Sequence, residues 1–250
     1  MIDNAVKELK IFLETSIFSA DSASFAVLYG GSVYKPLSQS DLDFAIVTSN
    51  ATPQLQREVE SFIIQLHDKY NLRLDDEVPF NNKLIYHPDE VFNAIHLSCF
   101  INNDKTFEIQ KIEKTAEFLS SPQIKARLIL NALTTPHEFW GNSKSGSHAE
   151  IQSGLAIIVL AIELVKKDLF DGPALFNALT ISKDGEWGED FLGYKYSFDL
   201  VADYLNGIIV MGLSVLEDEG FIKRGADGFY KKVATYDPVK VLMKVLERRG

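Results

Sequence analysis

Two short apolar segments joined through a glycine pair restrict how the N-terminal part of this chain can fold. The segment FAVLYG, residues 25–30, is rich in strand-forming residues and is closed by Gly30-Gly31, and the segment DLDFAIVT, residues 41–48, follows it. A glycine pair after a strand allows a tight turn and a close approach of the backbone to a ligand. The pattern therefore predicts two strands of one sheet, with a ligand-facing turn after the first.

The elements around these strands predict an α/β or α+β unit, which we place at residues 1–105. Thr52 fits the N-cap of a helix whose first position is Pro53. The further predicted elements are helices over 3–18 and 52–70 and strands over 71–80 and 83–87.

From residue 106 onwards the pattern becomes mainly helical, which predicts an accessory or acceptor-binding domain over 106–250. Its predicted helices cover 107–121, 121–134, 148–168, 172–181 and 197–220, with loops over 137–147 and 182–193. The segment FIKRGADGFYKKV, residues 221–233, reads as a hairpin and resembles the wing of a winged-helix domain. The predicted fold class is α+β: a small mixed sheet backed by helices, then a mostly helical domain ending in this winged-helix-like hairpin.

Composition narrows the class of function. The formal net charge of −10 argues against non-specific binding to a phosphate backbone and suits a cationic substrate. The single cysteine, Cys99, excludes an internal disulfide and a cysteine-based metal site. The N-terminal segment is amphipathic and acidic, unlike a secretory signal, and the longest apolar run is too short for a membrane span. We therefore expect a cytoplasmic protein that acts on no membrane.

The acids of the second strand point to a metal. Asp41 and Asp43 are two residues apart, so their side chains share one face of the strand, and Leu42 and Phe44 point to the other. Neighbouring carboxylates repel each other unless a cation lies between them, and Mg²⁺ prefers such oxygen ligands together with substrate phosphates. The amides of the glycine turn and the hydroxyl of Ser32 can hold phosphate oxygens. This arrangement predicts a metal–nucleotide site.

The strand predicted at 71–80 can supply a third acid. Alternation puts Arg73, Asp75 and Glu77 on one face. We favour Asp75, which lies in the middle of the strand with Arg73 two residues before it, and keep Glu77 in reserve. Three carboxylates can hold two metal ions for an in-line displacement, and the third can accept the proton of the attacking hydroxyl.

These residues resemble the signature of the polymerase-beta-type nucleotidyltransferase superfamily. That signature is an apolar residue, Gly, then Gly or Ser, a spacer of about ten residues, and Asp-apolar-Asp-apolar. Here Tyr29-Gly30-Gly31 and Asp41-Leu42-Asp43-Phe44 match it, with nine residues between Gly31 and Asp41. The resemblance covers residues 25–80. It implies that Gly31 and Ser32, beside Gly30, contact a nucleoside triphosphate, that Asp41 and Asp43 bind Mg²⁺, and that Asp75 is the third carboxylate.

The resemblance implies transfer of a nucleoside monophosphate, AMP from ATP or the equivalent part of another nucleoside triphosphate, to an acceptor hydroxyl. Adenylyltransferases that modify aminoglycoside antibiotics share the two-part layout, and the acidic composition suits a cationic small-molecule acceptor. A protein acceptor, an RNA end and an inactive binding module that uses the C-terminal hairpin remain alternatives.

In the segment 137–150, Lys144 is a candidate phosphate ligand and Glu150 a candidate base, against the simpler interpretation of a solvent loop with Ser147 as N-cap.

Overall fold

The protein is built on a four-stranded mixed sheet with helices on both faces. The computed structural model describes residues 2–30, 33, 42–74, 80–91, 117, 120–180 and 198–247. The elements are α1 (Ile2–Leu13), β1 (Phe25–Leu28), β2 (Phe44–Val47), α2 (Pro53–Tyr70), the single turn α3 (Asn81–Leu84), β3 (Ile85–Tyr86), α4 (Pro122–Thr134), β4 (Glu138–Gly141), α5 (Ser143–Val165), β5 (Leu169–Phe170), α6 (Gly172–Thr180), α7 (Phe198–Asp218), β6 (Ile222–Arg224), β7 (Tyr230–Lys232) and α8 (Pro238–Glu247).

The main sheet has the strand order β3-β2-β1-β4. Strand β1 is central and pairs antiparallel with β2 and with β4, whereas β2 pairs parallel with β3. The register sets Leu28 opposite Phe44 on one side and opposite Glu138 on the other. The end of β1, the start of β2 and the start of β4 therefore meet at one edge of the sheet.

The two faces of the sheet belong to two different apolar clusters, as the alternation of a strand requires. Phe25, Val27 and Tyr29 pack with the helices α4 to α8. Ala26 and Leu28 pack with α1 and α2. All of these side chains are buried, so the sheet is covered on both faces.

Local signals in the sequence set the start of α2. The Thr52 side chain accepts a hydrogen bond from the Leu55 amide (3.2 Å), and Pro53 begins α2, as the sequence predicts. The predicted first helix is α1, extended by a π-helical turn over Glu14–Phe18. Of the strand predicted over 71–80, residues 71–74 and 80 are not in a strand, and residues 75–79 lie outside the described residues.

The second half of the protein packs around α5. Thirteen of its 23 residues are buried, and α7 crosses it so closely that a Cβ atom on Gly212 would lie 2.6 Å from Ile158 Cγ1. Helix α5 is long and apolar enough to span a membrane, but 67% of its apolar window is buried inside the protein. Such burial is typical of the core helix of a soluble protein. The predicted helices over 121–134, 172–181 and 197–220 are present as α4, α6 and α7.

One predicted loop is wrong. Residues 137–147 were expected to form a Gly/Ser loop, but they contain strand β4 and the first turn of α5. The cap of α5 is Asn142, whose side chain accepts from the Ser145 amide (3.0 Å), and Ser147 lies inside the helix. Strand β4 follows residue 105, so the sheet takes one strand from beyond the predicted domain boundary, which itself lies outside the described residues.

The C-terminal hairpin is present as β6 and β7, which pair antiparallel, and β5 adds a third strand. An ion pair between Lys232 and Glu163 (2.8 Å) ties the hairpin to α5. Helix α8, which the sequence pattern did not predict, packs on α5 through Val241 and Leu242. The predicted helix over 107–121 and the predicted loop over 182–193 lie outside the described residues, apart from residues 117, 120 and 121.

Asp21 joins the start of β1 to the end of β2. Its Oδ2 atom accepts hydrogen bonds from the Ser49 hydroxyl (2.7 Å), the Ser49 amide (3.0 Å) and the Thr48 hydroxyl (3.2 Å), and its Oδ1 atom accepts from the Ala23 amide (3.0 Å). The hydrogen bond from the Ser49 hydroxyl, with smaller contributions from the Ala23 and Ser49 amides, holds the pKa of Asp21 well below its usual range.

Asp21→Asn is expected to lower the free energy of unfolding at pH 7 by about 1–2 kcal/mol, because the new NH₂ group would face donors where the carboxylate accepts. The native carboxylate stabilises the fold fully above its ordinary pKa of about 3.9, and this stabilisation is lost progressively as the pH falls from there towards the lowered pKa of the folded state. Urea titrations at pH 7 and at pH 3 measure both effects. If Asp21→Asn lowers the free energy of unfolding as much at pH 3 as at pH 7, the lowered pKa of Asp21 is wrong. Asp168→Asn, at an exposed position, serves as the control.

Candidate functional site

The glycine turn and one of the predicted metal ligands lie in direct contact at the edge of the sheet. The Tyr29 amide donates to the Asp43 carbonyl (2.9 Å), and the Val33 amide donates to the Gly30 carbonyl (3.0 Å). Gly30 has a φ of +68°, which glycine adopts most easily. A Cβ atom at Gly30 would overlap Asp43 Oδ2 and lie 2.8 Å from Asp43 Cγ, so the carboxylate rests against the bare Cα of Gly30.

The described residues contain only part of the predicted site. Gly30 and Asp43 lie in contact. Within the described part of the chain, no group of three His, Cys, Asp or Glu side chains is placed to hold a metal ion. Five of the predicted site residues, including two of the three predicted metal ligands, lie outside the described residues: Gly31, Ser32, Asp41, Asp75 and Glu77.

Lys144 lies away from this edge. It is in the first turn of α5, directly after β4, and the last residue of β4, Gly141, pairs with Phe25 at the start of β1. Gly30 is five residues further along the chain from Phe25, which corresponds to about 16 Å of extended strand. The structure therefore does not bring Lys144 together with Gly30.

A narrow cleft beside Asp43 contains a lysine that sequence reasoning missed. Tyr29, His67 and Lys83 line the cleft with Asp43. Lys83 is only 8% exposed, although lysine is rarely buried without compensating interactions. A buried ammonium beside a carboxylate can balance its charge or contact a phosphate oxygen. The only sequence signal was a lysine directly before the buried segment LIY, which by itself indicates no site.

A second polar cluster connects the sheet to the helical half. Tyr204 of α7 donates a short hydrogen bond to Glu150 Oε1 in α5, and His137 Nε2 lies 3.9 Å from the same carboxylate oxygen. The other ring nitrogen of His137, Nδ1, is 2.7 Å from the Thr135 carbonyl, to which it donates. Burial lowers the pKa of His137, so the imidazole is neutral at pH 7.

This cluster lies towards the same edge as Gly30. His137 immediately precedes Glu138, which pairs with Leu28, and Leu28 is two residues before Gly30. Glu150 is one-third exposed, so its carboxylate is held by Tyr204 and still reaches solvent. The simpler interpretation of residues 137–150 as a solvent loop is therefore wrong, and Glu150 is a helical side chain with a fixed partner.

Of the predicted metal site, the described residues contain one carboxylate, that of Asp43. It fills the space beside Gly30 where a side chain would otherwise stand, so the Cα of Gly30 is covered by the carboxylate. Carboxylate oxygens are the ligands that Mg²⁺ prefers, so the chemistry of Asp43 fits a magnesium ligand.

Comparisons with protein-family models, with curated proteins and with solved structures find no significant match.

Proposed function

We propose that this protein is a magnesium-dependent nucleotidyltransferase that transfers a nucleoside monophosphate, AMP from ATP in the first instance, to a hydroxyl of a small cationic acceptor. The observation that carries the proposal is the contact between Gly30 and the Asp43 carboxylate at the end of β1. In this contact the glycine turn meets the acidic strand, and these are the two segments that carry the signature in the sequence. The mixed α+β fold supports the proposal as well.

In the proposed site the glycine turn binds the triphosphate and the acidic side chains bind the metal. The turn residues Gly30, Gly31 and Ser32 would hold the triphosphate. The metal ligands would be Asp41, Asp43 and Asp75, with Glu77 as the alternative to Asp75. Three carboxylates can hold two Mg²⁺ ions. When bound, Mg²⁺ supplies charge stabilisation for the attacking and leaving oxygens of the displacement. Lys83 adds a fixed positive charge in the cleft beside Asp43.

The transfer forms a bond between the acceptor oxygen and the α-phosphorus and breaks the bond from that phosphorus to pyrophosphate. The acceptor hydroxyl loses its proton to a carboxylate, either Asp75 or Glu150. Glu150 suits this role because Tyr204 holds one of its oxygens while the side chain remains one-third exposed. The neutral His137 beside it leaves the negative charge of Glu150 uncancelled at pH 7.

A cationic acceptor is proposed from the charge of the protein. The net charge of −10 produces a field that attracts polycations and repels nucleic acid. A nucleotidyltransferase acting on a protein or an RNA end is the second candidate. Exposed Lys223 and Arg224 on the winged-helix-like hairpin would contact such a protein or RNA acceptor. The Glu217 carboxylate accepts a hydrogen bond from the Arg224 amide (3.0 Å), so a negative charge lies next to these two cations.

The test measures pyrophosphate release from ATP and Mg²⁺ across a panel of aminoglycoside, protein and RNA acceptors. Asp43→Asn keeps the size of the side chain but removes its charge, and we expect it to lower the rate at least about 100-fold, since loss of a metal ligand costs several kcal/mol of transition-state stabilisation. The matched control is Asp168→Asn, an exposed acid between α5 and β5, which should leave the rate unchanged.

Two results would overturn the proposal. One is a wild-type protein that releases no pyrophosphate with any acceptor and binds no Mg-ATP by calorimetry. The other is an Asp43→Asn variant as active as Asp168→Asn. Activity confined to the protein or RNA acceptors would select the second candidate instead.

A further inference from the structure

The small sheet of β5, β7 and β6 carries a row of side chains across one of its faces. Leu169 of β5 and Lys223 of β6 both pair with Lys231 of β7, one from each side. Directly paired residues share one face of a sheet, so these three side chains lie side by side. They line a groove of about 330 Å³ together with Phe229, which is two residues before Lys231 and therefore on the same face.

The other face of this sheet packs into the protein. Phe170 of β5 is 1% exposed, and its ring stacks on the ring of Tyr230 in β7 with 6.3 Å between their centres. Phe170 and Tyr230 alternate with Leu169 and Lys231 along their strands, so the row of Leu169, Lys231 and Lys223 faces solvent.

The two lysines of the row lack the internal partners that the other two cations of the hairpin have. Lys232 forms an ion pair with α5, and the Arg224 guanidinium lies 5.7 Å from the centre of an aromatic ring. Among the residues that the structure describes, no carboxylate forms an ion pair with Lys223 or Lys231. Both positive charges are therefore available to an anion from outside.

Lys223 and Lys231 also repel each other. They lie directly opposite in an antiparallel pair, in which the Cα atoms are about 4.5–5.5 Å apart. Like charges in this arrangement destabilise a sheet. A carboxylate bound between the two ammonium groups would remove the repulsion and accept charge-assisted hydrogen bonds from both.

Exposed apolar side chains lie beside these charges. Leu169 is 52% exposed and Phe229 is 42% exposed, and apolar groups rimmed by polar residues mark interaction surfaces. Phe229 and Lys231 are two residues apart on β7, which corresponds to about 6.8 Å, and side chains on one face of an extended peptide have the same spacing. A peptide with acidic and apolar residues at alternate positions therefore matches the groove.

A neighbouring acid favours a peptide over a nucleic acid. Asp227 also lines the groove, and its carboxylate accepts a hydrogen bond from the Phe229 amide (3.2 Å). A nucleic acid carries a negative charge on every nucleotide, so its backbone would be repelled by Asp227 and by the net charge of −10. A peptide carries its acids only at the positions that face the two lysines.

We propose that this groove binds a short, extended acidic segment of a partner protein. One acidic side chain of the segment lies between Lys223 and Lys231, and an apolar side chain two residues away lies between Leu169 and Phe229. The docking is independent of the proposed nucleotide site and of the activity proposed for it.

The test uses three fluorescein-labelled peptides: SESESLSES, the glutamine version SQSQSLSQS, and SESESASES, which lacks the leucine. Anisotropy titrations with the wild-type protein at about 50 mM NaCl, where screening is weak, should give saturable binding of the first peptide. Loss of the glutamates should weaken binding about tenfold, the effect of the charge-assisted hydrogen bonds. Loss of the leucine should weaken it about threefold, the effect of a partly buried apolar side chain.

Two variants assign these effects to the groove. Lys231→Gln should remove most of the preference for glutamate over glutamine and keep the preference for leucine, and Leu169→Ala should do the reverse. The matched controls are Lys7→Gln, an exposed lysine of α1, and Val210→Ala, a 69% exposed residue of α7, and both should bind the peptides as the wild type does.

Lys231→Gln has a second readout that needs no ligand. It removes the repulsion with Lys223, so the ligand-free variant should have a higher Tm than the wild type at about 50 mM NaCl. In the Lys223→Gln background the repulsion is already absent, and Lys231→Gln should then raise the Tm less. A lower Tm for Lys231→Gln in the wild-type background would contradict the free lysine pair on which the proposal depends.

Three further results would each overturn the proposal: no saturable binding of SESESLSES up to about 1 mM, where even a weak specific site would fill, equal affinity for the glutamate and glutamine peptides, or equal effects of Lys231→Gln and Lys7→Gln. Other occupants are tested with an oligothymidylate of the same net charge, with phosphatidylserine vesicles and by sedimentation of the protein alone. Tighter binding of the oligonucleotide or the vesicles, or self-association that Lys231→Gln abolishes, would assign the groove to that occupant instead.

Discussion

Replacing Gly141 with alanine is expected to lower the free energy of unfolding by about 3–5 kcal/mol, the largest effect on stability that we predict. Gly141 ends β4 with a φ of +84°, and a Cβ atom there would lie 2.7 Å from the Ser24 carbonyl oxygen and 3.0 Å from the Phe18 ring. The carbonyl belongs to the backbone beside β1, so it cannot move without disturbing the sheet. Urea unfolding at pH 7 measures the loss.

Two other glycines separate the contributions to this loss. Gly220 also has a positive φ, +73°, but a Cβ atom there would meet nothing within 4 Å, so Gly220→Ala should cost only the conformational strain of about 1–2 kcal/mol. Gly207 lies inside α7 with open space around it, and Gly207→Ala should stabilise the protein by about 0.5–1 kcal/mol. A Gly141→Ala variant no less stable than Gly220→Ala would show that β4 does not lie against Ser24.

The sequence predicted those element boundaries well that are set by a turn or capping residue directly beside them. Strand β1 ends at the glycine turn because Gly30 adopts a positive φ, and α2 begins at Pro53 because Thr52 caps it. These boundaries follow from local backbone chemistry, which a sequence displays directly.

Strand β4 was missed because its reasons are not local. Its four residues, EFWG, are followed by NSKSGS, a composition typical of loops, and only the pairing with β1 makes them a strand. The early start of α5 was missed for a similar reason. The Phe139 ring of β4 packs directly against Gly146, where a Cβ atom would lie 2.7 Å from Phe139 Cδ1. This contact joins the first turns of α5 to β4.

The candidate site shows the same division. That Gly30 and Asp43 belong to one candidate site could be proposed from the sequence, whereas their direct contact comes from the antiparallel pairing of β1 with β2. Lys83 and the cluster of His137, Glu150 and Tyr204 could not, because they come from elements far apart in the chain that only the packed helices bring to the sheet.

Replacing Gly30 with alanine is expected to displace the Asp43 carboxylate and to lower the proposed nucleotidyl transfer at least about 100-fold, the effect that we also expect for Asp43→Asn. A Cβ atom at Gly30 would overlap Asp43 Oδ2 and lie 2.8 Å from Asp43 Cγ, so the side chain has to rotate away. The positive φ of Gly30 adds about 1–2 kcal/mol of strain to the fold of the variant. Pyrophosphate release and urea unfolding measure the two effects separately.

A double-mutant cycle tests this contact without any assay of activity. Asp43→Ala removes the two atoms closest to the new methyl group, Oδ2 and Cγ, and leaves Asp43 Cβ at 2.9 Å. Gly30→Ala should therefore destabilise the Asp43→Ala protein less than it destabilises the wild type, by a coupling of about 1 kcal/mol. In both backgrounds it should cost at least as much as Gly220→Ala, which carries the strain of a positive φ alone. Strictly additive effects would mean that the Asp43 carboxylate does not rest on Gly30, and the proposed site would then lose the observation that carries it.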